Sequence, residues 1–107
     1  LRGEAWTAPT FLSSWVNYGA PYVQAGFYKD AWDRVHIRGL VKGESTATPS
    51  IFTLPVGYRP LTGTHIFIAI SNDAFGRIDI STGGTLSLVI GSSVFVNLNG
   101  ISFREAQ

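Results

Sequence analysis

No window of a dozen residues in this chain carries an apolar stripe at i, i+3, i+4 and i+7 that is free of Gly, Pro and β-branched runs. A helix needs such a stripe to bury one face, so helical architectures are set aside at once. Period-two patterning takes its place. Val35, Ile37, Gly39 and Val41 alternate with Arg34, His36, Arg38 and Lys42, with Leu40 as the one apolar residue on the polar side. A strand with one face on a core and one in water requires that alternation. Ile78 and Ile80 alternate with Arg77, Asp79 and Ser81, and Leu86, Leu88 and Ile90 with Thr85, Ser87 and Val89. The run Ile66–Ile70 is apolar throughout, which predicts a strand covered on both faces. Phe95–Ile101 reads as a closing strand, and Trp15–Tyr18, Gln24–Lys29 and Ile51–Leu54 as further short ones.

Turn residues fall between these runs: Gly19-Ala20-Pro21, Thr48-Pro49, Leu54-Pro55-Val56-Gly57, Thr82-Gly83-Gly84 and Gly91-Ser92-Ser93. Thr82-Gly83-Gly84 is a tight-hairpin signal, because Gly adopts positive φ freely. Seven to nine short strands separated in this way predict an all-β fold, an antiparallel β-sandwich of jelly-roll type. Ile68, Ile78, Ile80 and Leu88 are expected to face its interior. The segment Leu1–Pro9 lacks alternation, so residues 1–14 are read as a connector from an upstream region and residues 15–107 as the sandwich. Asp30-Ala31-Trp32-Asp33-Arg34-Val35 recurs as Asp73-Ala74-Phe75-Gly76-Arg77-Ile78. Two copies are too few for a repeat architecture, so the echo reads as one hairpin solution used twice.

At 107 residues the chain fits one domain. Eight basic side chains stand against seven acidic ones, a balance that argues against binding nucleic acid or an anionic membrane through bulk charge. Charged residues are 14% and hydrophobic ones 45%, which excludes a disordered tail. Every apolar run is interrupted well short of the roughly 20 residues that span a bilayer. Zero Cys removes disulfides, thiol chemistry and Cys-ligated zinc together. With zero Met, Leu1 is expected to lie inside a longer polypeptide or to follow a processing cut. A monomer of this mass exposes roughly 5,800 Å². So few charges over that surface, with a mean hydropathy of +0.17, predict that part of it is buried in an oligomer.

Catalytic constellations are missing. His36 and His65 stand far apart without metal-ligand spacing, and no G-x-S-x-G elbow, Walker loop or GxGxxG is present. Asp30 and Asp33 resemble a carboxylate pair, but at a hairpin turn Asp more commonly serves the backbone. The expectation is therefore no enzyme, no cofactor and no metal. What remains is binding. Trp32, Arg34, His36 and Arg38 share parity, so a regular strand would present them on one face. An indole beside two guanidinium groups and an imidazole suits a phosphorylated or acidic saccharide. The alternative is a solvated face whose arginines pair with Asp79 or Asp30 while Trp32 covers its turn. Trp15 with Tyr18 is expected to pack on the sandwich, and Trp6 between neighbouring subunits or on upstream structure. Leu54–Pro60, with Pro on both sides of Gly57, reads as a rigid structural loop.

Several blocks together resemble the head domain of tailed-bacteriophage fibres and receptor-binding proteins. They are Trp15-Val16-Asn17-Tyr18-Gly19, then Tyr28-Lys29-Asp30 with Arg34–Lys42, then Leu54-Pro55-Val56-Gly57-Tyr58-Arg59-Pro60. Phe75-Gly76-Arg77-Ile78 and Val96–Phe103 follow in the same order. Asp33 and Asn99 depart from the pattern, which has Gly and Asp there. The resemblance implies a homotrimeric sandwich at a virion tail tip, made in the host cytoplasm and acting outside the cell. It would be joined to an upstream fibre or baseplate region and would bind a bacterial surface polysaccharide. No receptor-binding residue carries over, because such heads place their contacts in loops without a fixed motif. The competing readings are a carbohydrate-binding module of a larger enzyme and a purely structural trimerisation cap.

Overall fold

A computed structural model of the chain describes residues 5–12, 14–44 and 49–104. They form β1 (Val16–Asn17), β2 (Gly26–Lys29), β3 (Arg34–Arg38), β4 (Leu40–Lys42), β5 (Ser50–Thr53), β6 (His65–Ser71), β7 (Ala74–Ile80), β8 (Thr85–Ile90), β9 (Val96–Asn97) and β10 (Ile101–Arg104). No helix occurs among the described residues. All pairings are antiparallel, in a seven-stranded sheet ordered β1-β4-β9-β6-β7-β8-β5 and a three-stranded sheet ordered β10-β3-β2. The two sheets make the β-sandwich that the alternation predicts. Phe27, Val35, Ile37, Ile101 and Phe103 from the small sheet and Val41, Phe52, Ile78, Ile80, Leu86, Leu88 and Val96 from the large one fill one core, with Trp15 buried in it.

Residues 34–42, expected as one strand, are two strands in different sheets. The break is Gly39, at φ +122°, and a Cβ there would lie 2.4 Å from Ala25 Cα. Only a residue without a side chain lets the chain turn the corner so close to its neighbour. Leu40 then leaves the core side and pairs with Asn97 on the outer face of the large sheet, which accounts for its odd place in the alternation. Phe95–Ile101 is likewise not one strand. It ends at Asn97, turns through Asn99 and Gly100 (φ +88°), and crosses to the small sheet as β10. The two crossings are tied together: Gly39 N–H donates to Asn99 Oδ1 (2.8 Å), and Leu98 N–H donates to Gly39 O (2.8 Å).

Within the single chain, Ile66–Ile70 is covered on one face only, not on both as expected. Ile66, Ile68 and Ile70 are 59%, 77% and 50% exposed on the outer face of the large sheet. Ile68 is therefore not a core residue, whereas Ile78, Ile80 and Leu88 are. An unbroken apolar run carries no parity information, and here the partner strand decides. Phe67 lies opposite the buried Ile78, and Ala69 lies opposite Gly76. The inner side of β6 must be small there because the loop after β8 crosses it. Ser71 Oγ donates to Ser92 O (2.7 Å) and accepts from Ser92 N–H (2.6 Å). A Cβ on Gly91 would stand 2.5 Å from that hydroxyl.

The echoed segments both lie at hairpin ends but close differently. In the first, Asp30–Asp33 is the turn and Asp33 takes φ +64°. In the second, Asn72 and Asp73 take the positive φ and Ala74 already pairs with Ser71. The Thr82–Gly84 turn forms as expected, with Gly84 at φ +87°. The Thr48–Pro49 turn falls partly outside the described residues. Of the segment read as a connector, Thr7 bridges Phe27 and Phe11 bridges Phe52, so its described part lies along the sandwich.

Candidate functional site

The outer face of β3 looks away from the core because Val35 and Ile37 point into it. Arg34, His36 and Arg38 emerge together on this face, as their parity requires. Trp32 is not on the strand; it stands 77% exposed at the tip of the adjoining turn. The register places Tyr28 and Ser102 on either side of His36, and Gly26 beside Arg38. With no side chain on Gly26, Trp6 folds down over the sheet. Its ring lies 4.1 Å from Arg38 Cζ and meets Tyr28 edge-on at 4.5 Å. Trp6 thus packs on its own domain, with 40% of its surface left exposed.

His36 stacks on Tyr28, with centroids 4.9 Å apart and planes 15° apart, and its Nε2–H donates to Asp30 Oδ2 (2.7 Å). The other oxygen of Asp30 accepts from the backbone N–H of Trp32 (2.8 Å) and of Arg34 (3.0 Å). The His36 hydrogen bond, followed by that from Arg34, holds the Asp30 carboxyl below its usual range. Arg34 Nε donates to Ser102 Oγ (3.1 Å). The row is therefore cross-linked: Arg38 lies under Trp6, His36 between Tyr28 and Asp30, and Arg34 against β10. Asp79, the other carboxylate suggested for these arginines, instead takes both Nε (2.8 Å) and Nη2 (3.0 Å) of Arg77 on the large sheet. Trp32 and the outer part of Arg34 are what this face offers a ligand.

Two further features lie on the outer face of the large sheet. Ile66, Ile68, Ile70, Phe75 and Ile90 form an exposed apolar surface, into which the neutralised Arg77–Asp79 pair is set. Beside Ile70 a cleft of about 420 Å³ opens, lined by Tyr18, Pro21, Tyr22, Val23, Leu40, Asp73, Phe95, Asn97 and Asn99. Sequence reasoning missed it. Trp15 and Tyr18 both pack on the sandwich as expected, Trp15 in its core and Tyr18 on its outer face, edge-on to Tyr22 (5.3 Å) and to Phe95 (6.1 Å). The available signal was only turn residues, Gly-Ala-Pro-Tyr and Asn-Leu-Asn-Gly, which do not announce that they meet. Among the described residues no group of three or more His, Asp or Glu side chains could hold a metal ion.

Two antiparallel sheets, a corner-tied pair of crossovers and an outward cleft define an all-β sandwich domain. No family model matches the chain, and no curated protein matches it. Among solved structures it superposes on the receptor binding protein of Listeria phage PSA with a TM-score of 0.72 at 22% identity, covering 92% of this chain. The chain corresponds to 63% of that protein's chain. The two share a fold.

Proposed function

We propose that the chain is a non-catalytic host-attachment domain of a phage tail protein, which binds a saccharide of the bacterial surface from the tip of the virion. The observation that carries this reading is the fold shared over 92% of the chain with a phage receptor binding protein. The order of blocks from Trp15 to Phe103 agrees with it. The domain acts as a homotrimer, three being the number that the resemblance to fibre heads implies, and an upstream fibre or baseplate region carries it. The exposed apolar surface of β6, β7 and β8 supports the assembly, since a patch of this kind on a chain so poor in charge is better buried against its own copies. Trimerisation also multiplies weak contacts against a repeating polymer.

The test is co-sedimentation of the purified chain with cell walls from Listeria and other Gram-positive bacteria, before and after periodate oxidation of the walls. Binding that periodate removes is the expected result, because periodate cleaves the vicinal diols of sugars. A trimer that binds no wall would refute attachment and leave a structural cap. A monomer that binds walls would favour a carbohydrate module.

A further inference from the structure

We infer that the cleft beside Ile70, rather than the outer face of β3, is the saccharide site, and that its ligand is an uncharged sugar. This rests on the attachment reading above and adds to it a place and a ligand class.

Four separate stretches of chain converge there: the β1–β2 connection with Tyr18 and Tyr22, β4 with Leu40, the end of β6 and its turn with Asp73, and β9 with the turn after it, carrying Asn97 and Asn99. The polar groups are already oriented. Asn97 Oδ1 accepts from Asn99 N–H (2.9 Å), and Asn99 Oδ1 accepts from Gly39 N–H (2.8 Å). Both bonds take the amide oxygen, so the side-chain NH₂ of each residue is left as a donor. Asp73, held at φ +63° in its tight turn, supplies an exposed carboxylate acceptor. Amide donors and a carboxylate acceptor in one cleft match adjacent sugar hydroxyls, which both donate and accept. The Tyr18 and Tyr22 rings provide the apolar surface on which the C–H face of a sugar packs.

The charge of the cleft sets the ligand class. No Lys or Arg lines it; Lys42 Nζ, 5.3 Å from the Tyr18 ring, is the nearby cation, and it stacks on that ring at the rim. Asp73 repels phosphate and carboxylate. The β3 face has the opposite character, but its imidazole and one guanidinium are held in internal contacts. The cleft volume lies within the range of small-ligand pockets, about 300–1,000 Å³. Each chain holds a complete cleft, so a trimer would carry three beside its apolar interface.

The test uses wall co-sedimentation with Tyr22→Ala and Asp73→Asn, each first checked for parental circular dichroism and oligomeric state. Asn tolerates the left-handed turn at position 73, so that variant folds even if the first does not. Val56→Ala, remote from the cleft, is the control. Tyr22→Ala should weaken periodate-sensitive binding roughly tenfold, as truncating a central aromatic anchor does. Asp73→Asn should weaken it several-fold, and the control should bind like the parent. In ¹⁵N spectra, methyl glycosides of neutral sugars should shift the Asn97 and Asn99 side-chain amides, and glycerol phosphate should not. If the parent binds walls through a periodate-sensitive ligand but both cleft variants bind equally well, attachment stands and the cleft assignment falls. Loss on Trp32→Ala with parental binding by both cleft variants would likewise overturn it, in favour of the β3 face. A parent that binds no wall refutes both.

Discussion

Ile68→Asp separates the core of this domain from its assembly surface. Ile68 is 77% exposed and lies opposite Arg77, so a carboxylate there meets water on one side and a guanidinium on the other. Within the single chain the change costs about 1 kcal/mol, the spread of strand propensities, and less if the new charge pairs with Arg77. Assembly responds differently. Fully burying an isoleucine is worth about 1.5–3 kcal/mol, so covering the exposed part of Ile68 is worth about 1–2 kcal/mol per copy. Over three copies that is about 3–6 kcal/mol, or roughly a hundred- to ten-thousand-fold in the dissociation of a trimer, before any repulsion between the new carboxylates. Size exclusion with light scattering reads the outcome. The parent should elute at about three times 11.6 kDa, and Ile68→Asp as a folded monomer with parental circular dichroism. Ile78→Asp, at a fully buried position on the neighbouring strand, should by contrast abolish soluble expression. If Ile68→Asp remains a trimer, the interface is elsewhere; if it fails to fold, the outer face of β6 has been misassigned.

Gly39→Ala should destabilise the domain by at least about 3 kcal/mol, or prevent its accumulation, because φ +122° and the 2.4 Å approach to Ala25 must both give way; a urea midpoint near the parent's would refute the corner. Ser71→Ala should cost about 1–3 kcal/mol in urea denaturation, since it leaves Ser92 N–H and C=O without the hydroxyl that serves both. Asp30 sets an acid limb. Its carboxyl titrates below the usual 3.8 in the folded chain, so its contribution to stability is fully present above that value and is lost as pH falls through the lowered one. Asp30→Asn removes the carboxyl, and urea midpoints measured from about pH 5 to pH 2 should fall less steeply than the parent's. Equal slopes would mean that the His36–Asp30 contact does not persist in solution.

Legibility in the sequence followed the placement of polar residues. From Arg77 to Ile90 every second residue is polar until Val89, the turn is Gly-rich, and the structure buries Ile78, Ile80, Leu86 and Leu88 as the alternation requires. Where the polar marker is missing, as in Ile66–Ile70, the inward side is fixed by Gly76 and Ser71, whose smallness answers to a loop that arrives from elsewhere in the chain. Alternation also cannot show that a strand changes sheet. Val35, Ile37 and Val41 all face the core, yet Gly39 divides them between the two sheets. The β3 row was readable because parity suffices to place Arg34, His36 and Arg38. The contacts with Trp6, Tyr28 and Asp30 that occupy this row were not, because they come from a segment without alternation, from the neighbouring strand and from the turn.

The cleft was illegible for a related reason, and that reason bears on how its specificity could change. Its amide wall is built by the bonds that close the sandwich: Asn99 holds Gly39 N–H, Leu98 N–H bonds to Gly39 O, and Leu40 N–H bonds to Val23 O (2.9 Å). Substituting Asn99 would alter ligand contacts and loosen the crossing of both strand pairs together, so fold and site are coupled there. Tyr22 and Asp73 differ. Their side chains are exposed and bond no part of the backbone among the described contacts, and each stands on a turn whose conformation other atoms maintain. Substitution there can change which sugar is held while the corner stays closed. If the domain adapts to a new surface polysaccharide, the changes should therefore collect at Tyr22, Asp73 and their turn neighbours, and Gly39 and Asn99 should stay fixed. Selection of wall-binding variants from a library randomised at all four positions would show it, and frequent replacement of Asn99 among binders would break the link between the corner and the site.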